Sequence, residues 1–201
     1  MNPTGRQWTE MKVDLPTDRP RLAITLADGS EALLSHLDRR DRHWIEEGFE
    51  ELSEQSRYTR FGMGVGGLSD SELDYLADVD QHGHVAWGAS VGGYGAGLGR
   101  YISTSELDKP EVAVTVLDEY QGNGLGSALL RALVGIARHD GVHELCFRVV
   151  PDNTAVQAKL STIGATTALV DGLIEGRIVI ADIPRHAMED ELVEVFEAFR
   201  N

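Results

Sequence analysis

Apolar and polar residues alternate on both sides of Asp28-Gly29 in "RLAITLADGSEALLSHL". An Asp-Gly pair between two alternating runs predicts a β-hairpin with a two-residue turn. The period then changes to helical, with Trp44, Ile45, Phe49 and Leu52 on one face and Asp41 as the expected cap. "LSDSELDYLADV" predicts a second helix, capped by Ser69 or Asp70. "HVAWGASV" returns to alternation, with Val85, Trp87, Ala89 and Val91 on one face, and Gly92-Gly93 turns it into "GAGLGRYIS". "EVAVTVL" predicts the next strand. A helix follows with Leu129, Leu130, Leu133, Val134 and Ala137 on one side, ending at Gly141. "ELCFRVV" predicts a strand, and Asp152 or Asn153 starts a helix that ends before Gly164. "TALV" and "LIEGRIVIAD" predict a closing hairpin. "MEDELVEVFEAF" predicts an amphipathic helix with Met188, Leu192, Phe196 and Phe199 on one face. This order predicts an α+β (mixed α/β) domain built around one sheet over residues 21–184, with a loose arm at 1–20. The helical tail at 185–201 is expected to pack on the domain or on a partner subunit, as in a homodimer.

Composition narrows the class. The chain has 201 residues and is 42% hydrophobic, which suits one domain with a real core. It has no run of about 18 apolar residues, so no membrane partner is expected. "MNPTGRQWTEMKVDLP" lacks the apolar stretch of a secretory signal. The single cysteine, Cys146, excludes an internal disulfide framework and a multi-cysteine zinc site. A cytoplasmic location is the resulting expectation. The formal charge of -15 disfavours nucleic acid and anionic membrane and favours cationic substrates. His82 and His84, and His139 and His143, form pairs without a convincing set of further ligands, so no metal is expected.

The chemistry concentrates in "DEYQGNGLGSALL", residues 118–130, between a strand and a helix. A glycine-rich turn opening a helix offers converging backbone N–H groups and a positive dipole end, suited to phosphate. A P-loop requires Lys then Ser or Thr after the last glycine, but Gly126 is followed by Ser127 and Ala128. A dinucleotide fingerprint requires a third glycine where Ser127 stands, on the first strand of a parallel unit. Asp152, the acid that could hold a ribose, lies 30 residues past Gly122, farther than the about 20 expected. The remaining match is Q-x-x-G-x-G at Gln121, Gly124 and Gly126.

That segment resembles the acyl-CoA pyrophosphate loop of the GNAT N-acetyltransferase superfamily. The resemblance runs from about Arg21 to Asp182 and includes "VVPDNTAVQAKLSTIGA". The family often has Pro at the position of Asp118 and Arg at that of Gln121. The segment from "LADGSEALL" to "SRYTRFG" is similar to bacterial Pat-type protein acetyltransferases. Some of these carry a cyclic-nucleotide domain ahead of the acetyltransferase domain. With about twenty residues ahead of this one, none is expected here.

The resemblance implies a mostly antiparallel sheet, flanked by helices and splayed at the cofactor site. It implies acetyl-CoA as donor, an amine as acceptor and no metal. Gln121, Gly122, Asn123, Gly124, Leu125, Gly126 and Ser127 would cradle the pyrophosphate, with Gln121 adding a side-chain hydrogen bond. Val114 and Val116 would border the pantetheine, with a backbone N–H there serving the oxyanion, and Asn153 would border the cofactor. Glu111 stands where similar sequences place a catalytic glutamate; a solvated strand-end carboxylate is the plainer alternative. Many relatives have a tyrosine acid seven residues after the asparagine, where this chain has Leu160. Tyr101 and Tyr120 are substitutes in principle, although packing explains both. Tyr58 and Arg60 would shape the acceptor pocket, against packing for Tyr58 and Phe61 and a surface charge for Arg60. Cys146 reads as a small core residue. A module that binds acyl-CoA without turnover, and transfer of a longer acyl group, are the competing functions.

Overall fold

The computed structural model describes residues 19–61, 66–103 and 109–200. Its strands are β1 (Leu22–Thr25), β2 (Glu31–His36), β3 (His84–Val91), β4 (Tyr94–Ile102), β5 (Glu111–Val116), β6 (Glu144–Val149), β7 (Thr166–Val170) and β8 (Leu173–Val179). Its helices are α1 (Arg42–Glu51), α2 (Glu54–Phe61), α3 (Asp70–Ala77), α4 (Leu125–His139), α5 (Thr154–Thr162) and α6 (Met188–Arg200). The described strands form one eight-stranded sheet in the order β1-β2-β3-β4-β5-β6-β8-β7. Every neighbouring pair is antiparallel except β5–β6. The expected mixed fold and mostly antiparallel sheet are therefore present. No described helix is long and apolar enough to cross a membrane.

Alternation along the strands divides the core between two faces. Val85, Trp87 and Tyr101 pack on one face with Leu129, Leu133 and Ile136 of α4 and Phe196 of α6. Ala86 meets Leu37 and Trp44 on the other, beneath α1 and α3. Trp44 lies flat against the sheet because two strand positions lack side chains. A Cβ on Gly88 would fall 2.3 Å from the indole, and one on Gly95 would fall 2.1 Å from its Nε1. Beside it, β4 carries a bulge: Ala89 pairs with Gly97 and Ser90 with Gly95, which leaves Ala96 extra.

Several local expectations are corrected. The first hairpin turns over Leu26–Ser30, with Leu26 N–H donating to Ser30 O at 2.8 Å, so its connection is longer than two residues. Asp41 occupies the cap position of α1 but makes no cap bond. Its carboxylate instead accepts from Asp38 N–H at 2.8 Å and from buried Arg19 at 2.5 Å. The expected arm at 1–20 lies outside the described residues up to 18; Arg19 belongs to the fold, paired with Asp38 and Asp41. Ser69 caps α3 through a reciprocal box with Glu72. The helical tail packs on α4: Leu192 and Phe196 are buried, and Arg138 pairs with Glu189.

Replacing Gly95 with alanine drives a methyl into Trp44. Gly95→Ala is expected to cost about 1–3 kcal/mol of stability, the usual range for overpacking, read as a lower urea midpoint with unchanged m. An unchanged midpoint would show that Trp44 can move aside freely.

Candidate active site

β5 pairs with β4 along its whole length, from Glu111 opposite Ile102 to Val116 opposite Gly97. Towards β6 it has one register pair, Glu111 with Cys146, supported by Cys146 N–H donating to Pro110 O at 2.8 Å. Beyond Glu111 the two strands part. Val114 and Val116 stand at this opening, half-buried on the α4 face. The chain then makes a short helical turn over Asp118–Tyr120 and enters α4. Gly122 and Gly124 take φ of 82° and 98°, a region that glycine alone enters without strain.

Gly124 is the residue before α4, and no side chain caps the helix from that position. The first N–H groups of a helix have no partner within it. Here Leu125 N–H leans on Asn123 Oδ1 at 3.3 Å. Gly126 lies against the strand, where a Cβ would be 3.4 Å from Val116 Cγ2. Gly122, Asn123, Gly124, Leu125, Gly126 and Ser127 thus form an open helix start beside the parted strands. That arrangement can bind an anion whose extended tail runs between β5 and β6.

The loop is braced from two sides. Ala27 N–H, from the first hairpin, donates to Asn123 O at 2.9 Å. Asp118 accepts from Ser53 N–H at 3.1 Å and from the hydroxyls of Ser53 and Ser56, each at 2.8 Å. Burial alone would raise the Asp118 pKa, but these bonds outweigh it and hold the carboxyl below its ordinary value. Gln121 also has partners within the fold. Its amide donates to Val116 O at 3.0 Å and to Ser56 Oγ at 3.3 Å, so here it fastens the loop to the strand end and to α2.

On the opposite face of β5 lies a cleft of about 670 Å³, open to solvent. Ala113 and Thr115 line it from β5, Gly95, Ala96, Gly97, Leu98 and Arg100 from β4, and Trp44 and Phe49 from α1. Arg60 reaches it from α2. Tyr58 does not join it; it is 39% exposed on the outer side of α2. The Phe61 side chain lies outside the described residues. Arg100 is 4% exposed, and burial, followed by the repulsion of Arg60, lowers its pKa to about 9. Burial also pushes Arg60 down, while Glu111 pulls it back up. Ladder partners share a face, so Glu111, Ala113 and Thr115 all point to the cleft side. Glu111 is half-buried and ion-paired with Arg148 at 3.1 Å.

Other expected residues have structural duties. Asn153 caps α5, its side chain accepting from Val156 N–H at 3.2 Å. Leu160 is buried in the core. Tyr101 is buried and donates to Asp140 at 3.2 Å; burial, aided by Asp140, pushes its pKa above the ordinary value. Tyr120 packs near Phe49, Leu52 and Leu117, and burial, followed by Glu119, pushes its pKa up to about 12. Cys146 is half-buried rather than in the core, with its thiol pKa raised by burial and then by Glu111. His84 is held neutral, lowered to about 4 by burial and then by Arg100. No group of three or more metal-ligating side chains forms among the described residues.

Arg100 was not singled out by sequence reasoning. Its signal is a lone long cation in the glycine-rich run "GAGLGRYIS", in phase with Leu98.

Comparison with known proteins follows this geometry. The profile of the acetyltransferase (GNAT) family matches residues 41–160. The chain is 31% identical over 148 residues to the acetyltransferase Pat of Mycolicibacterium smegmatis, covering 72% of this chain and 44% of that protein. It is 34% identical over 125 residues to the acetyltransferase PA5475 of Pseudomonas aeruginosa, covering 60% of this chain and 67% of that one. It therefore spans less than half the length of the first relative. Among solved structures, the GNAT domain of S. lividans PAT superposes with a TM-score of 0.73 at 26% identity, covering 79% of this chain and 96% of that one. Salmonella typhimurium yncA, solved with its cofactor acetyl-CoA, shares the fold with a TM-score of 0.61 at 19% identity, covering 78% and 96%.

The brace at Asp118 has a definite pH signature. A carboxyl with a depressed folded pKa contributes fully above its unfolded pKa, near 4, and its contribution is lost as pH falls through the lower folded value. Asp118→Asn is expected to lower stability by about 1 kcal/mol at pH 7. The gap between variant and parent should narrow on acidification towards pH 3, in urea titrations at both values. A gap independent of pH would mean that the charge is irrelevant to the brace.

Proposed function

The chain belongs to the acetyltransferase (GNAT) family, and we propose that it transfers an acetyl group from acetyl-CoA to a primary amine by direct attack in a ternary complex. The observation that carries this reading is the parting of β5 from β6 beside the uncapped start of α4. The backbone N–H groups from Gly122 to Ser127 would receive the pyrophosphate, aided by the helix dipole. The parted edge of β5 at Val114 and Val116 would receive the pantetheine as an added strand. Asn153, at the start of α5, would border the same channel.

A primary amine has a pKa near 10, so near neutral pH it arrives protonated and cannot attack. Glu111 takes that proton, directly or through a water. The freed nitrogen attacks the thioester carbon, and an N–H among Val114 to Val116 stabilises the oxyanion. The C–S bond then breaks and the nitrogen gives its second proton to solvent or to the departing thiolate, leaving the N-acetylated amine and CoA. With Leu160 where many relatives have tyrosine, the sulfur leaves as thiolate without an acid from α5. CoA tolerates this, because a thiolate is a fair leaving group near neutral pH. Arg60, in the cleft on the Glu111 face, contacts the acceptor, with Tyr58 at the outer edge of α2.

A competing reading is an acyl-CoA-binding module without turnover. The Glu111–Arg148 ion pair and the leucine at position 160 favour it.

Incubation of an amine panel with acetyl-CoA, read by thiol release, separates the two. Turnover is expected in the parent. Glu111→Gln should lower kcat/KM about 100- to 1000-fold near neutral pH, a usual share for general base catalysis. The loss should shrink as pH rises towards the amine pKa, where the base is no longer needed. Equal rates across the range would remove Glu111 from the mechanism. Acetyl-CoA binding with no thiol released from any amine would support the non-catalytic module.

A further inference from the structure

We infer that the cleft on the Glu111 face of β5 takes the apolar body of the acceptor, so that the amine acetylated here is a small alkyl- or arylalkylamine rather than a protein lysine. This rests on the acetyl-transfer reading and names the acceptor class of that same site.

The walls of the cleft are Trp44 and Phe49 from α1, Leu76 from α3, Leu98 from β4 and Leu117 after β5. Its floor is made of small residues: Gly95, Ala96 and Gly97 line it from β4, and Ala113 from β5. The bulge at Ala96, with a glycine on either side, leaves that stretch of β4 without a long side chain. The guanidiniums that reach the cleft have partners in the fold. Arg100 donates to Leu76 O at 3.3 Å, and Glu111 acts on Arg60. Neither is needed to hold the guest, and arginine stems are themselves apolar. An apolar concavity open to water gains when an apolar body covers it, and pockets of this lining are the usual seats of small molecules.

Position makes that guest an acceptor. Glu111, Ala113 and Thr115 follow one another on one face of β5, each roughly 7 Å from the last. Ala113 and Thr115 both line the cleft. An amine with its nitrogen at Glu111 therefore lays its body over Ala113 and then Thr115. Charge agrees with this order, because a carboxylate meets the ammonium at the strand start and apolar walls lie beyond it. A polar body would exchange water for walls that cannot hydrogen-bond. A lysine side chain would bring a polar main chain to the same walls.

The test is a homologous series with acetyl-CoA: n-alkylamines from ethyl to octyl, their ω-hydroxy counterparts, phenylalkylamines and a lysine peptide. In the middle of the alkyl series, each added methylene should raise kcat/KM about fourfold, the usual gain from burying one. The hydroxy counterparts should lose that gain. Leu98→Asn places an amide among the walls and should flatten the alkyl series through KM, with the Kd for acetyl-CoA unchanged. A flat alkyl series in the parent, an unchanged slope in the folded variant, or preference for the lysine peptide overturns the apolar subsite and leaves acetyl transfer standing. The parent series decides this even if the variant does not fold. If no amine turns over, acetyl transfer is overturned, and calorimetry with hexylamine and phenylethylamine on the CoA-loaded protein judges the cleft alone. Binding that weakens about tenfold in Leu98→Asn supports it, and no such binding overturns it.

Discussion

β5 is held along all its residues on one side and at a single residue on the other. Backbone N–H and C=O groups left without partners away from water are costly. The edge beyond Glu111 therefore calls for water or an extended guest, and everything that keeps β5 in place must come from β4. The pairing with β4 meets that demand without interruption, and Leu117 N–H extends it by donating to Ala96 O at 3.0 Å. The parallel contact at Glu111 makes the opening a wedge with a closed end. A strand held in this way delivers its last residues to one place, which is where α4 begins.

The same economy governs β4. Its glycines remove side chains on both faces in turn. On the cleft side, Gly95 admits the Trp44 indole; on the other, a Cβ on Gly99 would lie 3.0 Å from Leu133 Cδ1. α1 and α4 can therefore press close from opposite sides. Their approach fixes the cleft wall on one face and the height of the α4 start on the other. Arg100 stands out against this background because it is the long polar side chain in a strand otherwise stripped to let neighbours in.

The fold was legible in the sequence where periodicity and punctuation agreed, as in α3 with its Ser69–Glu72 box and α4 with its buried stripe ending at Gly141. The glycine loop was legible because its spacing states a backbone requirement, and φ of 82° at Gly122 and 98° at Gly124 meet it. Local reading falls short where side chains choose partners distant in sequence. Asp41 could be read locally as a cap, but its partner Arg19 lies 22 residues away. The Gln121 amide has fold partners that a local window only half contains, Val116 O five residues away and Ser56 Oγ 65 residues away. The cleft itself is formed by three helices meeting a strand bulge, and no window of sequence contains that. Arg100 went unnoticed for the same reason, since its significance depends on Arg60, which is neighbouring in space and 40 residues distant in the chain.

Net charge is the coarsest quantity a sequence offers, and it does not describe the cleft. A charge of -15 suggests affinity for cations, and at long range it would draw them in. At contact distance the buried groups decide, because screening by water is weakest there. On the cleft side those groups are Arg60 and Arg100, with Glu111 near the first. Charges of both signs thus stand on this face of β5, within a chain whose overall charge is negative. The field of the whole chain acts on approach, while the few charges along the cleft act at contact.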